Sequence, residues 1–427
     1  MRRWNTFLVL LGIGLIAAGT VFAGGTAESS KGLPHSGISI SVIAQRTPAW
    51  EAIDAGLAEF EASSGMKVSI KYFEETERRS KTRIDSATKA GAYDVYYVDE
   101  ANIAEFVSAD WLVPLLDYYP AKYNFDDFFE WMRNVGSIDG KAYYAPTFGG
   151  GDFLFYRKDL LDKAGVSVPK TMDELVAAIK KMNNPPEIYG FATRGLRGSG
   201  SNVWRWQDYF AAYGGQWLDA GGNPVFNSPA AVKATQLYLD LLKYCPPGAS
   251  TSTFSDNIEA FRAGKVVFFL DGDVFYDMME DPSKSQVAGK VGYAPPPTPI
   301  PSGAYTHGLA ISKIGAKTEG EKKAAGEFIA WATSKELELL RLEKNIMGNR
   351  MSTLNSDAMK KLYPQEVRDA IDARGKVTKI TFMRRPEWPG IGDNLGILLE
   401  ELFTGTRTDI QGALDEAVAK AKELLKK

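Results

Sequence analysis

The sequence is poor in the side chains on which many metal centres and all disulfides depend. Its 427 residues include one cysteine, Cys245, and two histidines, His35 and His307. A single cysteine forms no intramolecular disulfide and no thiolate metal cluster. His35 lies just after an N-terminal leader, so a catalytic metal site that relies on two or three histidines is excluded. We therefore expect no metal and no cofactor, and a Ser-His-Asp triad would have to use His307.

The chain also lacks a surplus of charge of either sign. Lys and Arg number 50, Asp and Glu number 53, and the formal net charge is −3. Binding to phosphates needs a basic surplus on one face, so nucleic acid is not expected as a partner. Hydrophobic residues at 44% and charged residues at 24% are ordinary for a folded protein. The length suits two α/β lobes better than one compact core.

Only one apolar run approaches the length of a membrane span, and it is N-terminal. Two arginines precede an apolar stretch from Phe7 to Ala18, and Val21 and Ala23 stand at the −3 and −1 positions of a cleavage site. A membrane anchor is the alternative, but the stretch is short for a span of about 20 residues. We expect residues 1–23 to be a cleaved signal peptide and residues 24–37 a flexible linker. The mature protein is then periplasmic, without a lipid-modified cysteine.

Strands and helices alternate in the rest of the chain. Apolar runs at Ile38–Ala44, Val68–Tyr72, Asp94–Val98 and Lys265–Leu270 predict strands. Residues at helical spacing follow the first run, and Gly65 is expected to end that helix. The alternation favours an α/β fold with parallel sheets.

Polar residues follow the ends of these predicted strands. Ligands of open α/β sheets bind beyond the carboxyl ends of the strands, and a carboxylate accepts hydrogen bonds from adjacent hydroxyl groups. All but the first two of these residues are carboxylates: Gln45, Arg46, Glu74, Glu75, Asp99, Glu100, Asp271 and Asp273. They are candidates to hold a hydroxyl-rich ligand. The nearby basic run from Arg78 to Lys81 is interpreted as a solvated helix face.

Four blocks of sequence, in a fixed order, resemble family 1 extracellular solute-binding proteins of bacterial ABC importers. Tyr143–Leu175 has a proline, a Gly-rich segment, an apolar strand with a tyrosine, Lys-Asp-Leu and a helix start. The other blocks are Phe210–Pro229, Phe261–Asp273 and His307–Glu336. The resemblance implies a periplasmic-binding-protein-like α/β fold, with two parallel-sheet lobes joined by a three-segment hinge. It also implies a monomer that is not an enzyme and delivers a sugar to a membrane permease.

Two segments are similar to the branch of this family assigned to sorbitol, mannitol and related polyols. They are Tyr156–Asp159, which reads Tyr-Arg-Lys-Asp, and the loop that contains Arg194. The resemblance thus implies a polyol as the ligand, although loop changes alter selectivity without altering a fold.

The family's fold implies a division of the chain into two lobes. Lobe one is expected at residues 38–148 and 293–340, and lobe two at residues 149–292 and 341–427. Glycines 149–151 are expected to absorb large φ/ψ changes at the first crossing. A phosphate-binding loop is the alternative for these glycines, but no Lys-Ser or Lys-Thr follows them.

The resemblance also implies the residues that touch the ligand. They are expected on strand ends and loops around the cleft: Gln45, Glu75, Asp99, Asp152, Arg194, Trp204, Asp273, Phe275, Arg350 and Trp388. Trp204 and Trp206 lie two residues apart, so one is expected in the core, and we choose Trp204 for the ligand. His307 is interpreted as a framework residue.

Three other functions are compatible with the same residues. Paired carboxylates in a cleft would suit an exported glycosidase. A ferric-iron binder would need tyrosines such as Tyr96, Tyr97, Tyr143 and Tyr144 to face the cleft, whereas the first two lie in an apparently buried strand. A sensor or chemotaxis ligand carrier would use the same binding chemistry.

Overall fold

A computed structural model describes residues 32–45, 50–342 and 348–426. The predicted signal peptide and residues 24–31 of the predicted linker lie outside these ranges. Within them, no helix combines the length and the apolar character that crossing a bilayer requires.

The described residues form strands of two to seven residues. They are β1 (Ser39–Gln45), β2 (Lys67–Phe73), β3 (Val95–Asp99), β4 (Ser137–Ile138), β5 (Lys141–Ala142), β6 (Tyr144–Gly150), β7 (Asp152–Arg157), β8 (Tyr189–Ala192), β9 (Val266–Gly272), β10 (Val291–Ala294), β11 (Ser302–Gly303), β12 (Tyr305–Ile311) and β13 (Thr378–Lys379).

The helices cover the faces of the sheets and fill the C-terminal part of the chain. They are α1 (Glu51–Ser64), α2 (Glu75–Thr88), α3 (Ile103–Ser108), α4 (Glu130–Val135), α5 (Lys158–Ala164), α6 (Met172–Met182), α7 (Asn202–Ala212), α8 (Pro229–Leu242), α9 (Phe254–Arg262), α10 (Tyr276–Glu280), α11 (Glu319–Ala332), α12 (Lys335–Leu342), α13 (Met351–Leu354), α14 (Asp357–Leu362), α15 (Gln365–Val377), α16 (Trp388–Thr404) and α17 (Ile410–Leu425).

Local sequence signals set the ends of several helices, and Gly65 ends its helix as expected. Gly65 takes the left-handed conformation, with φ 79°, and ends α1. The Thr171 hydroxyl accepts from the Glu174 amide and opens α6 with a capping box. Pro229 stands at the start of α8, where its missing N–H costs no helical hydrogen bond.

Two larger sheets organise the molecule. The first has the strand order β2-β1-β3-β12-β6, and the second has the order β10-β7-β9-β8. In the first, β1 is parallel to β2 and β3, while β12 is antiparallel to β3 and β6. In the second, β8 is parallel to β9, while β7 is antiparallel to β9 and β10. The α/β fold class is confirmed, but both sheets are mixed and not purely parallel.

The antiparallel strands arise because the chain passes from one sheet to the other. β6 ends at Gly150 in the first sheet and β7 begins at Asp152 in the second, so Gly151 links them. The chain returns after Ala294, the last residue of β10, and enters β12 at Tyr305. Strand β13 follows α15 and pairs with β11 of the return segment. Tyr293, placed by the sequence in lobe one, pairs with Phe155 in the second sheet.

Each sheet has an apolar core of its own. Val42, Tyr97 and Leu309 of the first sheet are buried with Phe328 of α11. Phe155 and Phe269 of the second sheet pack with their centroids 5.7 Å apart. A third body of apolar side chains joins α7, α8, α16 and α17. The strand ends and loops between these cores are where polar side chains gather.

Candidate functional site

A cavity of about 420 Å³ lies between residues that follow β3 and residues carried by α7 and α16. This volume is within the range of about 300–1,000 Å³ that small-molecule sites occupy. Six of its lining residues carry the arguments below: Arg79, Glu100, Trp204, Gln207, Phe382 and Trp388. We call it the cleft cavity.

Helix α7 forms part of the wall of the cleft cavity and carries large buried side chains. Asn202 at its first turn donates from Nδ2 to the Gly396 carbonyl of α16, at 2.8 Å, which fixes the helix against its neighbour. Every residue from Asn202 to Phe210 is buried. A helix buried on all sides must satisfy its polar side chains inside the protein.

Two tryptophans and a phenylalanine give the cleft cavity its apolar surface. The Trp204 ring meets Tyr305 edge to face, with centroids 6.0 Å apart. Trp388 opens α16 and packs edge to face on Trp217 at 4.9 Å. Trp206 is also buried, stacked on Phe210, and its indole N–H donates to the Thr235 hydroxyl at 2.9 Å. Both tryptophans belong to the same apolar core, but of the two only Trp204 lines the cleft cavity.

Asp99 ends β3 and is fully buried in ion pairs. Arg78 Nη2 lies 2.6 Å from Asp99 Oδ1, and Arg79 Nε contacts Asp99 Oδ2. Burial alone would raise the pKa of Asp99, yet Arg78, His307 and Arg79 hold that pKa below its ordinary value. Asp99 therefore anchors α2 to β3. Arg78 is 2% exposed, so the expectation that this basic run is a solvated face is wrong for Arg78.

Glu100 follows Asp99 and lines the cleft cavity. His307 stands between the two carboxylates, with Nδ1 3.6 Å from Asp99 Oδ1 and Nε2 3.6 Å from Glu100 Oε2. Glu100 Oε2 is buried and accepts no hydrogen bond from the described residues. Burial raises the pKa of Glu100 above its ordinary value. His307 contacts both carboxylates and is not among the residues that line the cleft cavity, which fits its interpretation as a framework residue.

Asp152 belongs to a buried carboxylate pair bridged by an arginine. Arg205 Nη2 donates at 2.7 Å to both Asp152 Oδ2 and Asp208 Oδ2. Asp152 Oδ2 also accepts from the Gly303 amide at 2.9 Å, and Asp208 Oδ1 accepts from the Thr381 hydroxyl at 2.8 Å. Burial raises the pKa of Asp208 well above its ordinary value.

Asp273 forms a second buried group beside the first. Arg374 Nη2 lies 2.8 Å from Asp273 Oδ2, and the Tyr305 hydroxyl donates to Asp273 Oδ1 at 3.1 Å. Burial raises the pKa of Asp273. Phe275, two residues on, stacks on Phe254 with the rings 5.7 Å apart and nearly parallel. Neither Asp273 nor Phe275 is among the lining residues of the cleft cavity.

Arg194 is engaged by Asp271 of β9 and by its own loop. Its guanidinium donates from Nε and Nη2 to the two oxygens of Asp271, at 2.8 and 2.5 Å, and from Nη1 to the Gly200 carbonyl at 2.9 Å. Burial opposes ionisation, but Arg194 holds the pKa of Asp271 below its ordinary value. The geometry is that of a bidentate structural ion pair.

Arg350 lies elsewhere and is corrected to a framework residue. It lines a separate, larger pocket of about 770 Å³ that contains no other predicted site residue among those described. Its guanidinium donates to the carbonyls of Thr333 and Asn124, at 2.7–3.0 Å and 2.8 Å, and stands 3.9 Å from the centroid of the Phe128 ring. All three guanidinium nitrogens are used, so this side chain holds neighbouring loops together.

Gln45 and Glu75 complete the predicted set. Gln45 is the last residue of β1, and its buried Oε1 has no hydrogen-bond partner among the described residues. It is not among the residues that line the cleft cavity. Glu75 is the first residue of α2, and its side chain is not among those described.

The sequence missed several polar residues of this region. Arg205, Gln207 and Asp208 of α7 and Arg374 of α15 were not among the candidates, although the structure buries all four. The available signal was the unusual run Trp-Arg-Trp-Gln-Asp-Tyr, which places three polar residues among three aromatic ones within six positions.

Two of the tyrosines named for a ferric-iron binder, Tyr96 and Tyr97, are buried and do not line the cleft cavity. Tyr96 is fully buried and its hydroxyl donates to Asp85 Oδ2 at 2.8 Å. Burial raises the pKa of Tyr97 above its ordinary value, which disfavours the tyrosinate that iron requires. Within the described ranges, no group of three or more His, Cys, Asp or Glu side chains is placed to hold a metal ion.

Comparison with known proteins adds a family and several relatives. Residues 44–338 match the family described as bacterial extracellular solute-binding protein. A mannitol-binding protein of Pseudomonas aeruginosa is 30% identical, over 83% of this chain and 85% of the relative. A solute-binding protein of Agrobacterium radiobacter in complex with ribitol is 28% identical, with a TM-score of 0.79 over 92% of this chain and 100% of that one. One of Agrobacterium vitis with bound D-mannitol is 28% identical, with a TM-score of 0.77 over 91% and 98%.

Proposed function

The chain belongs to the bacterial extracellular solute-binding protein family, and we propose that its solute is an acyclic polyol or a small sugar held in the cleft cavity. The observation that carries this proposal is the composition of the cavity wall. Indole and phenyl rings of Trp204, Phe382 and Trp388 line the cavity together with the polar side chains of Arg79, from α2, and of Glu100, which follows β3. Polyols and sugars present C–H surfaces and hydroxyl groups together, which suits such a wall.

The relatives support the same class of ligand. The Pseudomonas protein is named for mannitol, and the two Agrobacterium structures contain ribitol and D-mannitol. The segments from Tyr156 to Asp159 and around Arg194 resemble the polyol-binding branch.

The residues proposed to contact the ligand are Trp204 and Trp388, together with Glu100. Asp152 accepts from Arg205, and Asp273 accepts from the hydroxyl group of Tyr305, whose ring contacts Trp204. Gln45, Asp99, Arg194 and Phe275 shape the strand ends around the cleft. Glu75 stays a proposal from the sequence alone.

Capture is proposed to occur by closure of two lobes, divided as the sequence predicts. The ligand binds to one lobe in an open form, and the second lobe then covers it and excludes water. The loaded protein delivers its ligand to the permease of an ABC importer as a monomer and without catalysis. Export is proposed to use residues 1–23 as a cleaved signal peptide, so the intact mass of protein recovered from the periplasm should correspond to a chain that begins at Gly24.

A thermal-shift panel tests the ligand class. Hexitols, pentitols, monosaccharides, disaccharides, amino acids and ferric iron are each added to the purified protein. A ligand that binds only the native state raises the free energy of unfolding, by about 2.7 kcal/mol at one hundred times its Kd, and the melting temperature rises with it. We expect hexitols or pentitols to give the largest shift. A shift with amino acids or iron and none with any carbohydrate would overturn the proposal, and release of reducing ends from an oligosaccharide would identify a glycosidase.

A further inference from the structure

Gln207 is a buried amide whose hydrogen-bonding groups are unused. Its side chain is 0% exposed, and neither Oε1 nor Nε2 has a hydrogen-bond partner among the described residues. Its neighbours on α7 differ: Trp206 donates to Thr235, and Asp208 accepts from Arg205 and Thr381. A buried polar group without partners is costly, so such groups in native proteins require an explanation.

The place of Gln207 in the cavity wall supplies that explanation. It lines the cleft cavity together with Trp204 and Trp388. On the wall that follows β3, Glu100 Oε2 is likewise buried and accepts no hydrogen bond from the described residues, although His307 Nε2 stands 3.6 Å away. Gln207 and Glu100, from different elements, line the same cavity.

The charges around the cavity favour a neutral ligand. Arg79 is paired with Asp99, and Arg83 Nη2 lies 2.6 Å from Glu105 Oε2. Both cations of the wall therefore have acidic partners already. A ligand carboxylate or phosphate would have to compete with these partners, whereas a hydroxyl group needs only the donors and acceptors that Gln207 and Glu100 offer.

We propose that Gln207 selects the ligand by hydrogen bonding two adjacent hydroxyl groups. Glu100, which also lines the cavity, accepts a hydrogen bond from a further hydroxyl group of the ligand. An amide donates from Nε2 and accepts at Oε1 within one plane, and a hydroxyl group both donates and accepts. A vicinal diol therefore satisfies the whole amide at once. This inference rests on the proposed function and names the feature of the polyol that the site reads.

Discrimination of this kind is strong because of what the wrong ligand leaves behind. A ligand that lacks one hydroxyl group leaves a buried amide atom unpaired, and sites built to bond a hydroxyl reject such analogues more strongly than apolar pockets reject a methylene. The same argument predicts a property of the empty protein. Replacement of Gln207 by leucine removes a buried, unpartnered amide, so the empty variant should be as stable as the wild type or more stable.

Calorimetric titration of Gln207→Leu with the best polyol of the panel tests the inference. We expect affinity to fall by about 10- to 100-fold, the equivalent of one or two lost hydrogen bonds in a closed site. A set of monodeoxy hexitols is then titrated into both proteins. The analogue that lacks the hydroxyl read by Gln207 should bind the wild type weakly and lose little more with the variant. Gln365→Leu, on the exposed face of α15 where Nε2 contacts Asp369 at 2.7 Å, is the matched control and should bind like the wild type.

The outcomes separate this inference from the proposed function. If the wild type binds no polyol or sugar, the proposed function fails. If the wild type binds a polyol and Gln207→Leu binds it within twofold, only the inference fails. A lower melting temperature of ligand-free Gln207→Leu, with affinity unchanged, would assign Gln207 to the framework. Glu100→Leu provides the second variant, and it too should weaken polyol binding while the fold is retained.

Discussion

Asp277 illustrates how burial of one side chain changes the response of the protein to pH. It lies on α10 and is partly buried, and burial raises the pKa of its carboxyl group to about 7. The same carboxyl group in an unfolded chain has a pKa of ~3.9. The native state therefore holds this proton more tightly than the unfolded state. Its contribution to stability is complete below the unfolded pKa and is lost as pH rises toward the native pKa.

Asp277→Asn should remove this loss. We expect the wild type to become less stable relative to the variant as pH rises from about 4 to about 7, because only the wild type must give up a proton. Urea unfolding midpoints at several pH values measure the difference. Asp281→Asn is the contrasting variant, because hydrogen bonds from Ser283 lower the pKa of Asp281 and its small effect should have the opposite sign. Parallel profiles for wild type and Asp277→Asn would contradict the prediction.

Residue types at strand ends were predictable, but their partners were not. The sequence indicated that Asp99, Arg194 and Asp273 gather at strand ends, and the structure places them there. It could not indicate that Arg78 pairs with Asp99 or that Asp271 pairs with Arg194, because these partners lie 21 and 77 positions apart in the sequence. Pairing across such distances depends on the tertiary fold, which residue patterns alone do not specify.

Helix α11 shows how a short local signal supports a long element. The Thr318 hydroxyl accepts from the Glu321 amide at 3.2 Å, and Glu321 Oε2 accepts from the Thr318 amide at 2.8 Å. The helix buries Phe328 and Ile329 against the first sheet. We expect Thr318→Ala to lower the free energy of unfolding by about 1 kcal/mol, since an orphan helical amide loses its acceptor. Thr318→Ser keeps the hydroxyl and should stay close to wild type in urea unfolding. Equal losses in both variants would disprove the capping argument.

The glycines of the first crossing are constrained by close neighbours. The sequence suggested that residues 149–151 absorb large φ/ψ changes at a hinge, which stays a prediction. In the structure none of the three is among the described glycines with positive φ. Each lies against a neighbour: a Cβ at Gly149 would stand 2.7 Å from the Tyr305 carbonyl oxygen, and one at Gly151 would stand 2.1 Å from Ser302 Oγ. Close packing of this kind is a tertiary property, so the sequence pattern identified the position but not this packing constraint.

Gly151→Ala should therefore be destabilising. The new methyl group would push on Ser302 and on Arg374 Cδ, 2.8 Å away, and would disturb the ion pair of Arg374 with Asp273. Overpacking of this kind typically costs ~1–3 kcal/mol. Gly375→Ala on α15 is the matched control, because no described atom lies within 4 Å of its Cβ position. It should be neutral or stabilising by up to about 1 kcal/mol, as expected for alanine in a helix. Similar unfolding midpoints for the two variants would refute the packing argument.

At the scale of the whole molecule, three separated segments of the chain meet at one buried polar group. Asp152 follows the first connection between the sheets, Gly303 lies on the return segment and Thr381 follows β13, and all three are linked through Arg205 and Asp208. The family resemblance implied a third crossing at residues 340–341, so it did not indicate the part that Thr381 plays. The convergence on α7 could not be predicted, because the helix that collects them is far from all three in sequence.

Arg384 links parts of the chain that belong to different predicted lobes. It follows β13, and its Nη2 donates to the carbonyl of Val135 at 3.3 Å and to that of Ser137, at the end of α4 and the start of β4. A contact between lobes that forms only when they are closed shifts the population toward the closed arrangement. We expect the contact of Arg384 to act in this way.

Arg384→Ala should therefore favour a more open ligand-free protein. We expect small-angle scattering to give a larger radius of gyration for the variant without ligand and the wild-type value with saturating ligand. The apparent Kd should rise in inverse proportion to the fraction of the closed form that remains, because binding must then supply the energy of closure. Arg385→Ala is the matched control, since that side chain is half exposed and stands 3.6 Å from Glu387. If Arg384→Ala and Arg385→Ala scatter alike with and without ligand, Arg384 does not govern closure. The contact with α4 then stabilises the fold equally in both arrangements.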